Sequence, residues 1–566
     1  MAALAARFEA PGPGWWTLDA AHFPQPATRF VIELFPEPAR RGFADASARY
    51  GVLMDHIEWA FVHGWAYLCP RPAHALGPDP AREHWDRLVA SNPSLRERLA
   101  RSAGVFTDRR WREDVTSWDE ETRPRMNRGH RALQAVAADA LPVPELLSYL
   151  ERCRENLRQA IYEHHRLNIG PVIPVGDFLA AGSEWTGLPA GELVGLVRGR
   201  DGPSVAAGAE LARLVAVVRE DGAAAALLSS ADDPGAVLAR LAALPGPAGS
   251  AASAYLNLTA WWSAGSGFDV SEPCLSEMPH LQLATIRAAV DGAEPAVGAG
   301  AALARVRAAV PPARRQAFDD LLGEARLTHR LRDERALYCD VWAYGLMRRA
   351  IIAAGRRLSA AGAIEDPGHL LEAGYGEMRS LVEGGREPAR EELAARARAR
   401  SGAAAASDAP PVLGGPPPTP VPLEWLGPGE ARTERAFRIY MRAMSGEEAQ
   451  TTSGGIGGTP ASPGRYQGRA RIVRAAADLG RIARGDVLVT SSTTPVLSSV
   501  LPLLGAIVTD RGGLLSHAAI VAREFGIPAV VGTGEATTKI RDGALVVVDG
   551  ETGQVTLPGG SLDQDR

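Results

Sequence analysis

The chain has 566 residues, of which 46% are hydrophobic and 22% charged, and its formal net charge is −5. This is the balance of a soluble globular protein, long enough for several domains of about 100–200 residues each. The lack of a basic excess argues against nucleic acid or an anionic membrane as a partner.

No apolar run of about 18 residues predicts a membrane span, and the N-terminus has no signal-peptide pattern, so we expect a cytoplasmic protein. The cysteines are far apart, form no CxxC pair and have no metal-ligand spacing, which favours reduced thiols and no bound metal. They are Cys69, Cys153, Cys274 and Cys339.

The first 400 residues are mostly helical in pattern. Apolar residues recur at three- and four-residue spacing in 145–167 and again in 314–362, with Gly or Pro at the ends of the second stretch. We therefore predict that residues 1–400 form a large, mostly α-helical substrate-binding domain.

Residues 401–422 are rich in Ala, Gly and Pro, and residues 445–464 are rich in Gly, Ser and Thr. With a short helical segment between them, we predict flexible linkers over 401–460 that let the following domain move. As a Pro-rich spacer, the 22 residues 401–422 would span on the order of 60 Å. The alternative is a surface loop without a role.

The last hundred residues have a different sequence pattern from the helical part. Short Val- and Ile-rich runs bounded by Gly and Asp predict strands, and one helical pattern, 514–526, lies between two of them. We predict a small α/β domain over 461–560. The expected fold is therefore multidomain, with a large helical domain followed by a small α/β domain.

One histidine of this domain is a candidate catalytic residue. Gly512 and Gly513 permit a sharp backbone turn, after which His517 falls in the first turn of the predicted helix. Free N–H groups and the positive end of the helix dipole there stabilise an anion, and a neutral imidazole is a nucleophile toward phosphorus. Gly512, Gly513, Ser516 and Arg523 are the candidates for binding the phosphoryl group, Ser516 and Arg523 through their side chains.

The run GGLLSHAAIVAREFGIPAVVG (512–532) resembles the signature of the mobile domain of the PEP-utilising enzymes. Phosphoenolpyruvate synthase, pyruvate phosphate dikinase, rifampicin phosphotransferase and phenylphosphate synthase share this domain. The flanking segments 462–473 and 541–557 resemble its first strands and its closing hairpin. The resemblance implies a swivelling domain whose His517 carries a phosphoryl group on a ring nitrogen.

We find no ATP-grasp pattern, and Lys539 is the only lysine of the chain. In the dikinase family an ATP-grasp domain phosphorylates the histidine, so we expect a separate ATP-grasp subunit that binds ATP and Mg²⁺. This chain itself is expected to bind no cofactor tightly.

The helical part is similar in places to the substrate-binding region of rifampicin phosphotransferase-like proteins, in segments 14–30, 266–279 and 332–378. The family pattern of an Arg-Glu pair followed by Lys is only partly present in the last of these. The candidates that it offers for substrate binding are Arg332, Asp333 and Glu334.

An acceptor site needs an apolar pocket and a base that takes up a hydroxyl proton. Trp16 is a candidate for the pocket, and His22 and His63 are candidates for the base, although each is also a plausible structural residue. His164 and His165 are adjacent on one helix, so we expect that both do not face one pocket.

The leading hypothesis is an acceptor-binding and phosphocarrier subunit of a dikinase-type phosphotransferase. It would pass a phosphoryl group from ATP through His517 to the hydroxyl of a small organic molecule. Two alternatives stay open: a dehydratase that activates a hydroxyl by phosphorylation, and a non-catalytic binding or regulatory protein with a vestigial carrier domain.

Overall fold

The structure is a computed structural model. It describes residues 8–558 except 75, 78–79, 198–205, 265–267, 293–298, 407–408, 446–455, 475 and 493–499. The chain forms two compact units. Unit 1 consists of Met1–Asp177, Phe268–Ser271 and Tyr338–Arg438, and unit 2 consists of Phe178–Gly267, Glu272–Leu337 and Ile439–Arg566.

The α-helices are α1 Arg29–Leu34, α2 Pro36–Tyr50, α3 Arg82–Ser91, α4 Pro93–Asp108, α5 Arg110–Ser117, α6 Arg123–Gln134, α7 Val143–Arg166, α8 Ile169–Thr186, α9 Ala190–Val194, α10 Ala206–Glu220, α11 Gly222–Leu228, α12 Pro234–Ala242, α13 Pro247–Thr259, α14 Pro279–Asp291, α15 Ala299–Ala309, α16 Arg315–Arg335, α17 Ala343–Ala360, α18 Tyr375–Val382, α19 Arg390–Ala406, α20 Pro428–Ser445, α21 His517–Phe525 and α22 Ala536–Lys539. Two π-helical segments, Trp118–Thr122 and Ala336–Trp342, follow α5 and α16.

The strands are β1 Trp15–Leu18, β2 Met54–Val62, β3 Trp65–Pro72, β4 Val412–Gly414, β5 Ile456–Gly457, β6 Thr459–Ser462, β7 Arg465–Val473, β8 Asp486–Thr490, β9 Leu504–Thr509, β10 Ala529–Val531, β11 Leu545–Asp549 and β12 Gln554–Thr556. None of the described helices combines the length and apolar composition that a bilayer-spanning segment needs.

The predicted fold class is confirmed: a large helical part precedes a small α/β domain. The long helical patterns are also confirmed. The pattern at 145–167 forms α7, whose buried Leu146, Leu150, Leu157 and Ile161 follow the spacing of one helix face. The pattern at 314–362 forms α16, a π-helical segment and α17.

Unit 1 also contains a four-stranded antiparallel sheet, in the order β2-β3-β1-β4, which the helical prediction missed. The hairpin β2–β3 turns at His63 and Gly64, both with positive φ (52° and 84°), as a two-residue hairpin turn requires. Ile57, Trp59 and Phe61 alternate with polar or small residues in this stretch. That period of two predicts a strand, and the helical interpretation of this region was wrong.

Part of 401–422, where we expected a flexible linker, has regular structure. β4 pairs with β1, and Leu413 and Val421 are buried in unit 1. α20 is an 18-residue helix rather than a short segment. The two units also group the chain differently from the predicted domain boundaries, which stay a prediction.

The described residues of unit 2 include two hydrophobic clusters. One joins α10, α12, α13 and α14 through buried side chains such as Leu214, Val218, Leu241 and Ile286. The other belongs to an eight-stranded sheet in the order β5-β12-β11-β7-β8-β9-β10-β6. β7, β8, β9 and β10 run parallel, and their neighbours pair antiparallel. β7, β8, β9, β10 and β11 fall where the Val- and Ile-rich runs predicted strands, whereas β5, β6 and β12 lie outside those runs.

Candidate phosphohistidine loop and a histidine–aspartate cluster

His517 is the first residue of α21, which follows β9 in unit 2 after a tight turn. Gly512 has φ +100°, and a Cβ atom there would lie 2.7 Å from Cβ of Ser516. A side chain at 512 would therefore be both strained and in steric conflict. The glycine that the sequence singled out is required by the geometry of this turn.

Ser516 caps α21. Its φ/ψ of −64°/156° is extended, and its hydroxyl accepts a hydrogen bond from Ala519 N at 3.4 Å. At the other end, Gly526 closes the helix in the left-handed conformation. The loop therefore places His517 at the positive end of a nine-residue helix, where negative charge is stabilised. The sequence prediction of a helix beginning near His517 is confirmed.

Asp510 holds the start of the loop, a role that the sequence analysis missed. Its carboxylate accepts hydrogen bonds from Oγ1 of Thr533 at 3.0 Å and from both the backbone N, at 3.2 Å, and the hydroxyl of Thr537. Its backbone carbonyl accepts from Gly534 N at 2.8 Å. Asp510 therefore ties the end of β9 to α22 next to the glycine turn.

Arg523 lies six residues after His517 on α21, but its guanidinium binds backbone carbonyls. It donates to the carbonyl of Ala461 at 2.7 Å and to that of Leu514 at 2.6 Å. In this arrangement Arg523 fastens the loop to β6. Its predicted role as a phosphate ligand would require these two bonds to give way, and it stays a prediction.

The segment between β9 and α21, residues 510–516, also contacts the C-terminal end of α20. Gly513 N donates to the carbonyl of Met444 at 2.9 Å, and Leu515 N donates to that of Ala443 at 3.2 Å. Arg332, on α16, donates from its guanidinium to the carbonyl of Leu515 and lies 3.2 Å from Sδ of Met444. Unit 2 thus brings a predicted substrate-binding arginine to the segment that carries His517.

Of the two other substrate-binding candidates next to Arg332 in the sequence, only Glu334 has a described side chain. Glu334 pairs with Arg330 at 2.9 Å along the same helix, so its charge is already compensated. The side chain of Asp333 lies outside the described residues.

The α/β domain packs on α14 within unit 2. Arg484 pairs with Asp291 at 3.4 Å, and a Cβ at Gly480 would lie 2.4 Å from Nε2 of His280. At α9, a Cβ at Gly191 would lie 2.8 Å from Leu514 Cδ1. Small residues therefore allow the α/β domain, including Leu514 in the segment before His517, to approach the helices closely.

Trp16 and His63, both in unit 1, make contacts that are typical of structural residues. Trp16 is 1% exposed in the core of the four-stranded sheet, and its Nε1 donates to the carbonyl of Gly12 at 3.0 Å. His63 forms the hairpin turn, and its ring packs against Phe8 with 5.2 Å between centroids. Neither placement supports the predicted substrate contact.

His22 has the surroundings of a base. Its Nδ1 lies 2.8 Å and 2.9 Å from the two carboxylate oxygens of Asp19, which also accepts from Trp59 Nε1 at 3.0 Å. Burial raises the pKa of Asp19, but the charge of His22 and the hydrogen bonds from His22 and Trp59 outweigh it and lower the pKa. Asp19 is therefore ionised and holds the His22 imidazole in one orientation.

A second pair lies in the same unit. Nδ1 of His164 is 2.8 Å from Oδ2 of Asp340, and both side chains are buried. Asp340 belongs to the π-helical segment that precedes α17, a form of helix often found at functional sites. No local sequence pattern indicates this pair, because His164 and Asp340 lie on different helical segments.

His164 and His165 are also neighbours in space, with 4.7 Å between ring centroids. His165 packs on Phe35 and Trp59, and His164 packs on Phe268, which itself contacts Phe35. The expectation that both would not face one pocket stays a prediction, because these contacts are with packed rings and not with a pocket. Consecutive helical residues point about 100° apart, and a cluster of large rings is wide enough to meet both.

We call these groups of unit 1 and the rings between them the histidine–aspartate cluster: Asp19, His22, Trp59, His164, His165, Phe268 and Asp340. The described residues hold no group of three His, Cys, Asp or Glu with metal-binding geometry. All four cysteines are buried.

Two family models match the chain. Residues 482–553 match the mobile domain of the PEP-utilising enzymes, and residues 179–353 match the fourth domain of rifampicin phosphotransferase. The first match contains His517 with its loop, and the second contains Arg332.

Similar proteins match over a limited part of their length. An uncharacterised phosphotransferase, YvkC, of Bacillus subtilis is 48% identical over 20% of this chain and 13% of its own length. The phosphoenolpyruvate synthase of Aeropyrum pernix is 52% identical over 18% of this chain and 12% of its own length. The chain therefore spans about an eighth of the length of these relatives.

An NMR solution structure of Enzyme I matches 44% of this chain and 66% of its own, at 16% identity and a TM-score of 0.14, a similarity too low to bear on the fold. The family matches and the loop geometry agree on the same residues. The chain thus carries the mobile domain of the PEP-utilising enzymes, and before it a helical region of the rifampicin phosphotransferase type.

Proposed function

We propose that this chain is the acceptor-binding and phosphocarrier part of a dikinase-type phosphotransferase. His517 takes a phosphoryl group that originates in ATP and passes it to the hydroxyl of a small organic molecule. The observation that carries the proposal is the position of His517, at the capped N-terminus of α21 inside the match to the mobile domain.

The helix start supports the carrier step. A phosphoryl group on the imidazole adds negative charge beside free N–H groups of the first turn, and the helix dipole favours that charge. The Ser516 cap fixes the direction of the helix, and Asp510 and Gly512 fix the turn before it. These residues position His517 without needing to touch the phosphoryl group.

Arg332 supports a transfer step in unit 2. Its guanidinium is bound to the loop carbonyl of Leu515, two residues before His517. A cation next to the carrier would offset the charge of the phosphoryl group as it moves. Arg332 lies in the region that matches rifampicin phosphotransferase, whose name describes transfer to an organic acceptor.

The phosphoryl donor belongs to a separate subunit in this proposal. Neither family match covers a nucleotide-binding domain, and the sequence shows no ATP-grasp pattern. An ATP-grasp partner with ATP and Mg²⁺ would phosphorylate His517 with the β-phosphoryl group of ATP, with AMP as one leaving group and the γ-phosphoryl group passing to water as phosphate, and the carrier domain would then move to the acceptor.

The test uses the full chain with a candidate ATP-grasp protein and ATP labelled at the β or the γ position. Label should enter from the β position, be acid-labile and alkali-stable, and be lost in His517→Ala. His84→Ala is the control, because His84 is exposed on α3 of unit 1. Label that persists in His517→Ala would overturn the proposal.

A further inference from the structure

Residues 513–515, directly before the Ser516 cap of α21, are bound to the C-terminal end of α20. Gly513 N donates to the carbonyl of Met444 at 2.9 Å, and Leu515 N donates to the carbonyl of Ala443 at 3.2 Å. All of these residues belong to unit 2. We call residues 513–515 the docking strip.

The docking strip completes the hydrogen bonding of α20. This helix ends at Ser445, and the carbonyls of its last four residues have no partner inside the helix. Such carbonyls are commonly satisfied by N–H groups of the residues that directly follow a helix. Here the N–H groups of the docking strip satisfy two of them, so α20 loses part of its cap when the strip leaves.

Arg332, on α16, contacts both partners of this interaction. Its guanidinium donates to the carbonyl of Leu515 in the docking strip, and it lies 3.2 Å from Sδ of Met444 on α20. A positive charge is favourable next to the C-terminal end of a helix, where the helix dipole is negative. Arg332 therefore stabilises the end of α20 and the strip together.

The middle residue of the docking strip contacts a third helix. A Cβ atom at Gly191, on α9, would lie 2.8 Å from Cδ1 of Leu514, so this side chain lies directly against the backbone of α9. Three consecutive residues thus contact α20, α9 and α16. Because the strip is continuous and short, these contacts have to open together.

The ion pair between the α/β domain and α14 is weaker in kind. Arg484 and Asp291 are 3.4 Å apart, with side chains that are 59% and 65% exposed. Exposed ion pairs contribute little to stability. The docking strip, and not this pair, is therefore expected to hold the segment next to His517 in place.

We propose that the docking strip, Arg332 and the last turn of α20 form a latch that opens in one step, in which the last turn of α20 unwinds as the strip leaves. Its meaning for turnover rests on the proposed function, because a histidine that serves a donor and an acceptor in turn has to leave each of them. The latch then sets how often His517 is available to the donor. The coupling of strip and helix end rests on the contacts alone.

Hydrogen–deuterium exchange of the full chain, read by mass spectrometry, tests the coupling, since amides that donate hydrogen bonds exchange only when these open. Ala443→Gly weakens the last turn of α20 and keeps its carbonyls. Exchange should become about fivefold faster both in 440–445 and in the docking strip. Ala239→Gly is the matched control, because Ala239 is exposed on α12 of the same unit, and it should leave both segments unchanged.

Arg332→Gln acts from the other side of the latch. Exchange should become about tenfold faster or more in 440–445 and in the docking strip, since a hydrogen bond from a charged group is lost. Asp291→Asn is its control and should leave both segments unchanged, because it removes only the exposed pair with Arg484. Circular dichroism checks that each variant is folded.

Faster exchange of α20 alone in Ala443→Gly, or of only one segment in Arg332→Gln, would overturn the latch. So would an Asp291→Asn variant that releases the strip as much as Arg332→Gln does. The measurement uses neither ATP nor a partner. A failure to label His517 would therefore count against the proposed function, and uncoupled exchange would count against the latch alone.

Discussion

The guanidinium of Arg332 donates a hydrogen bond to the backbone carbonyl of Leu515, across 183 positions of sequence. Leu515 stands two residues before His517, in the loop that turns into α21. The contact ties the helix that carries the rifampicin phosphotransferase-type sequence to the candidate carrier histidine. Substitution of Arg332 therefore tests whether this residue only holds the loop or also takes part in phosphoryl transfer.

Arg332→Gln should slow discharge of the phosphorylated chain to an acceptor about tenfold or more, because a cation next to the carrier is lost. Stability should fall by about 1–3 kcal/mol, since a hydrogen bond from a charged group is lost. Arg330→Gln on the same helix is the control, as Arg330 pairs with Glu334. Equal discharge rates for the wild type and Arg332→Gln would rule out the transfer role.

Gly512→Ala should destabilise the protein by about 1–3 kcal/mol, because φ is +100° and the new Cβ would meet Ser516. Gly534→Ala separates the two causes. Its φ is +74°, and a Cβ there meets nothing within 4 Å. Urea unfolding should show the smaller loss for Gly534→Ala, and equal losses would show that the contact with Ser516 has no cost.

Ser516→Ala should cost about 1 kcal/mol, because the cap of α21 is lost. Ser516→Asp should keep the cap and the stability, since a carboxylate is favoured at a helix start. Its negative charge should nevertheless oppose a phosphoryl group on His517. Phosphorylation that stays normal in Ser516→Asp would contradict an electrostatic role for this helix end.

The buried imidazole of His130 should make stability depend on pH. Burial lowers its pKa to about 3, and its ring lies against Trp342 with 5.0 Å between centroids. The unfolded chain has a histidine pKa of about 6.5, so only the unfolded state takes up this proton between the two values. Stability therefore falls as the pH drops below 6.5, by about 2 kcal/mol at pH 5.

Urea unfolding of His130→Phe tests this, because the variant keeps a ring against Trp342 and has no titrating group. The free-energy difference between wild type and variant should change by about 2 kcal/mol from pH 7.5 to pH 5. His84→Gln, at an exposed position, should show almost no change. Parallel pH curves for wild type and His130→Phe would contradict the prediction.

Local sequence determined much of the α/β domain. β7 to β11 coincide with short Val- and Ile-rich runs, α21 ends at Gly526, and the turn before it needs Gly512, so these elements are specified by neighbouring residues. The same holds for α7, whose apolar spacing is that of one helix face. For the β2–β3 hairpin, the sequence contains the two-residue period that predicts a strand. The region was nevertheless interpreted as helical.

The tertiary structure decided the rest. Asp19 and His22 are three residues apart, yet nothing local shows that Asp19 is buried and held by Trp59. The contacts of His164 with Asp340 and of Arg332 with Leu515 join distant segments. Such pairs depend on how helices pack, and packing is set by side-chain shape across the whole core, which no short sequence window contains.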